Sequence, residues 1–119
     1  LVPMVAPTTT PGRLRTVLAG RGGFVYLVSV AGVTGARRDL PAGLAAFAAR
    51  VGRATDRPVC VGFGIATAAH VRAVGAFADG VIVGSALIRV IAAAGPKKAA
   101  AAAGRYLGTL RRACDAARR

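Results

Sequence analysis

Few side chains in this 119-residue chain could do chemistry, and their types narrow what that chemistry can be. The acids are four aspartates, Asp39, Asp56, Asp79 and Asp115, and there is no glutamate. His70 is the one histidine, and Cys60 and Cys114 have neither CxxC spacing nor a nearby histidine. General acid-base work needs titratable groups brought within reach of one reacting centre, and no spacing here sets up a carboxylate pair. Nothing has the spacing of a metal site, so neither metal nor cofactor is expected. What the chain does carry is glycine at places suited to anions: Gly62-Phe63-Gly64 after one apolar run and Gly84-Ser85 after another. Glycine lets backbone N–H groups approach an oxyanion, and a helix that starts there adds partial positive charge. Ser85 can cap such a helix, and capping and phosphate binding use the same helix end.

The elements that must hold these turns follow from period. Leu1 to Ala6 is a short apolar run, and Thr10-Pro11 supplies an N-cap and first-turn proline for a helix with Leu14, Val17 and Leu18 inward. Gly20, Gly22 and Gly23 stop it. Phe24 to Val30 is nearly continuous in β-favouring apolar residues, which predicts a strand buried on both faces. A loop from Ala31 to Asp39 leads to a helix with Leu44, Phe47, Ala48 and Val51 on one stripe. Pro58 to Ile65 reads as strand and glycine turn, Thr67 caps a helix with Val71, Val74 and Ala78 inward, and Gly80 to Val83 is a fourth strand. A short helix, Ala86 to Ile91, precedes the Gly95-Pro96 break. An Ala-rich helix over about 97–118, with Tyr106, Leu107, Leu110 and Cys114, closes the chain. Four strands alternating with helices predict a parallel sheet in a single α/β domain over residues 1–119. The first strand-to-helix turn, Ala6-Pro7-Thr8-Thr9-Thr10, has no dinucleotide fingerprint. Glycine turns after the last two strands, the second opening into a short helix, instead fit the phosphate end of a barrel.

Composition excludes other classes. The net charge is +13, but the arginines are scattered, with Arg13, Arg15, Arg37, Arg38, Arg50, Arg53, Arg57, Arg72 and Arg89 each expected where a helix faces solvent. No groove-reading motif or aromatic stacking platform accompanies them, which disfavours nucleic acid as a partner. No apolar run approaches the roughly 18 to 20 residues of a membrane span. The N-terminus lacks the basic region of a signal peptide, and its start at Leu1 reads as a cut into a longer chain. Cys60 and Cys114 read as buried thiols, and His70 as a surface residue in a helix's first turn.

Three segments together carry a specific resemblance: Tyr26-Leu27-Val28-Ser29-Val30-Ala31-Gly32-Val33-Thr34-Gly35-Ala36, then Val61-Gly62-Phe63-Gly64-Ile65, then Gly80-Val81-Ile82-Val83-Gly84-Ser85-Ala86. In order and spacing they resemble the tryptophan synthase α-subunit, from Leu1 to the final helix, but only its fifth to eighth βα units. The resemblance implies a (βα)4 half of a TIM (βα)8 barrel from a cytoplasmic lyase of tryptophan biosynthesis. In that family the reaction is cleavage of indole-3-glycerol phosphate to indole and glyceraldehyde 3-phosphate. By the same resemblance the substrate phosphate would sit on backbone amides at Gly35, Gly64, Gly84 and Ser85. Tyr26 and Phe63 would line the substrate pocket, and Thr34 would belong to the family's mobile loop, which also signals to the β-subunit. The family's catalytic glutamate and aspartate lie on its second strand and the loop after it, outside this chain, so no catalytic residue is assigned and the chain alone is expected to be inactive.

Plainer readings stand beside these. Taken singly, Gly62, Gly64 and Gly84 are turn residues, Thr34 a loop threonine and Tyr26 a core aromatic. A phosphate-binding half-barrel without catalysis is the alternative function, and a basic nucleic-acid-binding protein a more remote one. A half-barrel leaves its first and last strands as open edges and its inner face wet, so a homodimer through those edges or an aggregate is expected, or else a need for the missing N-terminal half.

Overall fold

A computed structural model describes residues 1–29 and 40–118. Along the chain lie β1 (Met4–Val5), α1 (Pro11–Leu18), β2 (Val25–Val28), α2 (Leu44–Arg53), β3 (Val59–Gly62), α3 (Ala68–Gly75), β4 (Gly80–Ile82), α4 (Ser85–Ala94) and α5 (Ala99–Ala117). The strands form one parallel sheet in sequence order. Tyr26 stands opposite Met4 and Cys60, and Cys60 opposite Gly80. Consecutive parallel strands with intervening helices make a (βα)4 half-barrel. Its edges are β1 and β4, as the sequence predicts. The strands are shorter than the apolar runs that signalled them.

Alternation along the strands separates two faces. Val5, Val25, Leu27, Val59 and Val61 point to the helices and are buried. They meet Leu14 and Leu18 of α1, the whole Leu44, Phe47, Ala48 and Val51 stripe of α2, Val71 and Val74 of α3, and Leu110 and Ala113 of α5. The opposite face, with Tyr26, Val28, Cys60 and Ile82, is only half-buried, and Met4 is 56% exposed. The expectation that β2 is buried on both faces is therefore corrected. The inner face of a barrel is covered by strands from across the barrel, and a half-barrel brings none. The chain exposes 7766 Å², against roughly 5,900 Å² for a compact monomer of its mass; the excess includes this inner face.

The caps hold largely as read. Thr10 accepts from the Arg13 amide at 3.3 Å and Thr67 from the His70 amide at 3.1 Å. In the terminal helix Ala113, not Leu107, completes the buried stripe with Leu110, and Leu107 is 43% exposed. The α3 and α5 helices approach closely at Gly75, where an added Cβ would come within 2.5 Å of the Ala117 Cβ. Arg57 is not on a solvent-facing helix. It precedes β3, where its guanidinium donates to the Leu18 carbonyl and one nitrogen is buried without a partner. Cys60 and Cys114 are half-buried free thiols. Among the described residues no helix is long and apolar enough to cross a membrane.

Candidate anion site at the carboxyl edge of the sheet

The glycine turns leave the sheet side by side. Gly62, the last residue of β3, is in register with Ile82, the last of β4, and hydrogen-bonded strands lie about 4.8 Å apart. Beyond Gly62 the chain passes through Phe63 and Gly64 with φ of 76° and 75°. Glycine takes this left-handed geometry freely, whereas for Phe63 it costs about 1–2 kcal/mol. Ser29 secures the turn from β2. Its amide donates to the Gly62 carbonyl at 3.1 Å, and its hydroxyl donates to the Phe63 carbonyl. At 2% exposure Ser29 is the one buried polar side chain among the described residues. In the sequence it is a single polar residue within the apolar Phe24 to Val30 run. A lone hydroxyl closing such a strand, just before a loop, was the available signal.

Tyr26 and Phe63 both reach this edge. The Tyr26 ring crosses the α-carbon of Gly62, where an added Cβ would lie 2.1 Å from the phenol oxygen, so glycine is required there by close approach. Phe63 is 60% exposed. After Gly64 the chain dives through buried Ile65 to Ala66, whose N–H donates to His70 Nδ1 at 3.2 Å and whose carbonyl accepts from the Tyr106 hydroxyl at 2.6 Å. His70 is thus half-buried and tied to the turn rather than an idle surface residue.

At the β4 end the N-cap of α4 is Gly84, and Ser85 is the first helical residue, so Ser85 does not cap the helix with its side chain. The helix also runs further than read, to Ala94. Gly84 and Ser85 are exposed, and an added Cβ at Gly64 or Gly84 would meet nothing within 4 Å. Among the described residues, therefore, nothing crowds either position. Gly35 and Thr34 lie outside the described residues. A cleft of about 320 Å³ on the β2 side is lined by Pro7, Ser29, Gly43, Leu44, Phe47 and Arg50, with the Arg50 guanidinium 4.9 Å from the Phe47 ring centre.

No described carboxylate reaches this edge. Asp56 and Asp79 sit at the opposite, amino end of the strands, where Asp79 accepts from the Val59 amide at 2.8 Å. Asp115 pairs with Arg111 on the exposed face of α5. Among the described residues no group of three His, Cys, Asp or Glu side chains could hold a metal ion. Among the described residues the edge offers backbone amides and a helix N-terminus, groups suited to anions, and no pair of carboxylates for proton transfer.

The family model of the tryptophan synthase alpha chain matches residues 1–115. The chain belongs to that family. The alpha chain of Roseiflexus sp. (strain RS-1) is 50% identical over 111 residues, covering 93% of this chain and 42% of that protein. The crystal structure of tryptophan synthase subunit alpha from Legionella pneumophila str. Paris superposes with a TM-score of 0.79 at 33% identity, over 97% of this chain and 42% of its own. A Pyrococcus furiosus structure, described as the tryptophan synthase a2b2 complex, gives a TM-score of 0.77 at 36% identity, over 92% and 44%. The chain thus spans about two-fifths of the length of these tryptophan synthase alpha chains, in keeping with the half-barrel topology.

Proposed function

We propose that this chain supplies the phosphate-binding half of a tryptophan synthase alpha-chain barrel, acting in tryptophan biosynthesis on indole-3-glycerol phosphate. The observation that carries the reading is the juxtaposition of the Gly62-Phe63-Gly64 turn with the Gly84-Ser85 start of α4, on neighbouring strands, with no described residue crowding Gly64 or Gly84. Gly64, Gly84 and Ser85 offer amides to the phosphate, with Gly35 completing the set. Tyr26 and Phe63 flank the indole end, and Thr34 lies in the loop that closes over the substrate. The carboxylates that move protons come from the complementary half; of the chain's own, Asp56, Asp79 and Asp115 stand elsewhere and Asp39 lies outside the described residues. In the assembled barrel the partner is a tryptophan synthase β-chain. In the absence of the complementary half, the open edges and inner face pair with a second copy.

Titration of the chain with glycerol 3-phosphate, followed by amide chemical shifts, tests the reading. Saturable shifts at Gly64, Gly84 and Ser85 are expected, together with no release of indole from indole-3-glycerol phosphate until the first four βα units of a relative are added. Silence at those amides, with or without the added half, would sink the phosphate assignment, and turnover by the chain alone would sink the division of labour.

A further inference from the structure

The phosphate turn has a hold that the family resemblance did not assign. The Ala66 peptide, two residues beyond Gly64, is gripped from two helices: His70 Nδ1 on α3 accepts its N–H at 3.2 Å, and the Tyr106 hydroxyl on α5 donates to its carbonyl at 2.6 Å. Tyr106 is 40 residues away in sequence, so this contact ties the terminal helix to the β3–α3 turn. A turn that holds Phe63 in left-handed geometry beside Gly64 is costly to keep in shape. Ser29 fixes its entry. The Ala66 grip and the Thr67 cap fix its exit. Burial pushes the Tyr106 hydroxyl above its usual titration range, only partly offset by Arg89, so it remains a donor.

We infer that Tyr106 and His70 are positioning residues for the anion site, holding the exit of the Gly62-Phe63-Gly64 turn so that the Gly64 amide faces the ligand. The inference rests on the proposed phosphate role of this turn. It makes α5 part of the site although no residue of α5 reaches the ligand.

Four variants of the 119-residue chain, Tyr106→Phe, His70→Ala, His70→Asn and Leu110→Val, test it by two readouts, affinity for inorganic phosphate and amide exchange at Ala66. Tyr106→Phe and His70→Ala are each expected to weaken phosphate by about fivefold, the scale of one neutral hydrogen bond. His70→Ala is also expected to speed Ala66 exchange about tenfold. His70→Asn, whose side-chain oxygen can replace Nδ1 as acceptor, should restore both. Leu110→Val loosens the α5 core without touching the hydroxyl and should leave affinity unchanged, which separates positioning from loss of stability. Wild-type affinity in Tyr106→Phe and His70→Ala overturns the inference, as does equal weakening by Leu110→Val. If Tyr106→Phe does not fold, the His70 pair decides alone. If the wild-type chain binds no phosphate, the proposed function fails, and unchanged Ala66 exchange in His70→Ala then overturns the clamp by itself.

Discussion

The pairing of Tyr26 with Gly62 shows how much one absent methyl group decides. Tyr26 lies on the half-covered inner face of β2, and its ring can cross the neighbouring strand only because Gly62 has no Cβ. Substituting Gly62→Ala would place a carbon 2.1 Å from the phenol oxygen and 2.3 Å from Cζ, so the ring must swing away. We expect a loss of about 1–3 kcal/mol, the usual cost of overpacking. The double variant with Tyr26→Ala should cost less than the two single changes added together, because the clash disappears with the ring. Additive losses in urea unfolding would show that Gly62 matters for the backbone alone. The sequence displays both residues, and the family resemblance implies a pocket role for Tyr26. Their contact was not legible, since it depends on a register that places Tyr26 opposite Cys60 and so beside Gly62.

At the scale of elements, the helices were the most legible part. A stripe such as Leu44, Phe47, Ala48 and Val51 encodes its own buried face, and Thr10 and Thr67 mark helix starts by chemistry that is local to the chain. Features set by a neighbouring element were missed: Ser29 bracing another strand's turn, His70 and Tyr106 gripping Ala66, Arg57 reaching back to Leu18. The β3–β4 pair adds a consequence for pH. Burial raises the Cys60 thiol above its ordinary value, and the nearby Asp79 carboxylate raises it further. Burial acts the same way on Tyr106. The folded chain therefore holds these protons more tightly than the unfolded chain does, so unfolding releases protons in alkali. That contribution to stability is whole below the unfolded thiol value of about 9 and declines as pH rises through the folded value. Unfolding midpoints in urea should fall between pH 8 and pH 10, and Cys60→Ala should flatten the decline. An equal slope in the variant would assign the alkaline loss to other groups.

The whole molecule poses a problem that none of its elements solves. Each strand of the sheet has one face sealed by helices and one left for residues across a barrel centre, and β1 and β4 have unpaired edges. The edges are short, two and three residues, which limits strand-to-strand addition. The inner face is broader, and Met4, Tyr26, Val28 and Ile82 leave it apolar and partly wet. Burial of apolar surface is worth about 25 cal/mol per Å², so covering several hundred Å² of that face contributes on the order of 10 kcal/mol before the cost of association. A net charge of +13 opposes self-association but acts weakly over the distances at which physiological salt screens. Two partners can provide the cover: a second copy, or the first four βα units of an alpha chain. The complementary half should win, because in the relatives this part of the chain is joined to the rest of one alpha chain, of which it spans about two-fifths. Light scattering on a sizing column is expected to give a dimer or larger species for the chain alone. Adding the complementary half should convert it to a one-to-one complex, with indole-releasing activity appearing in that fraction only. A compact, stable monomer would mean that the half-barrel satisfies its inner face by itself, and the need for a partner would fall with it.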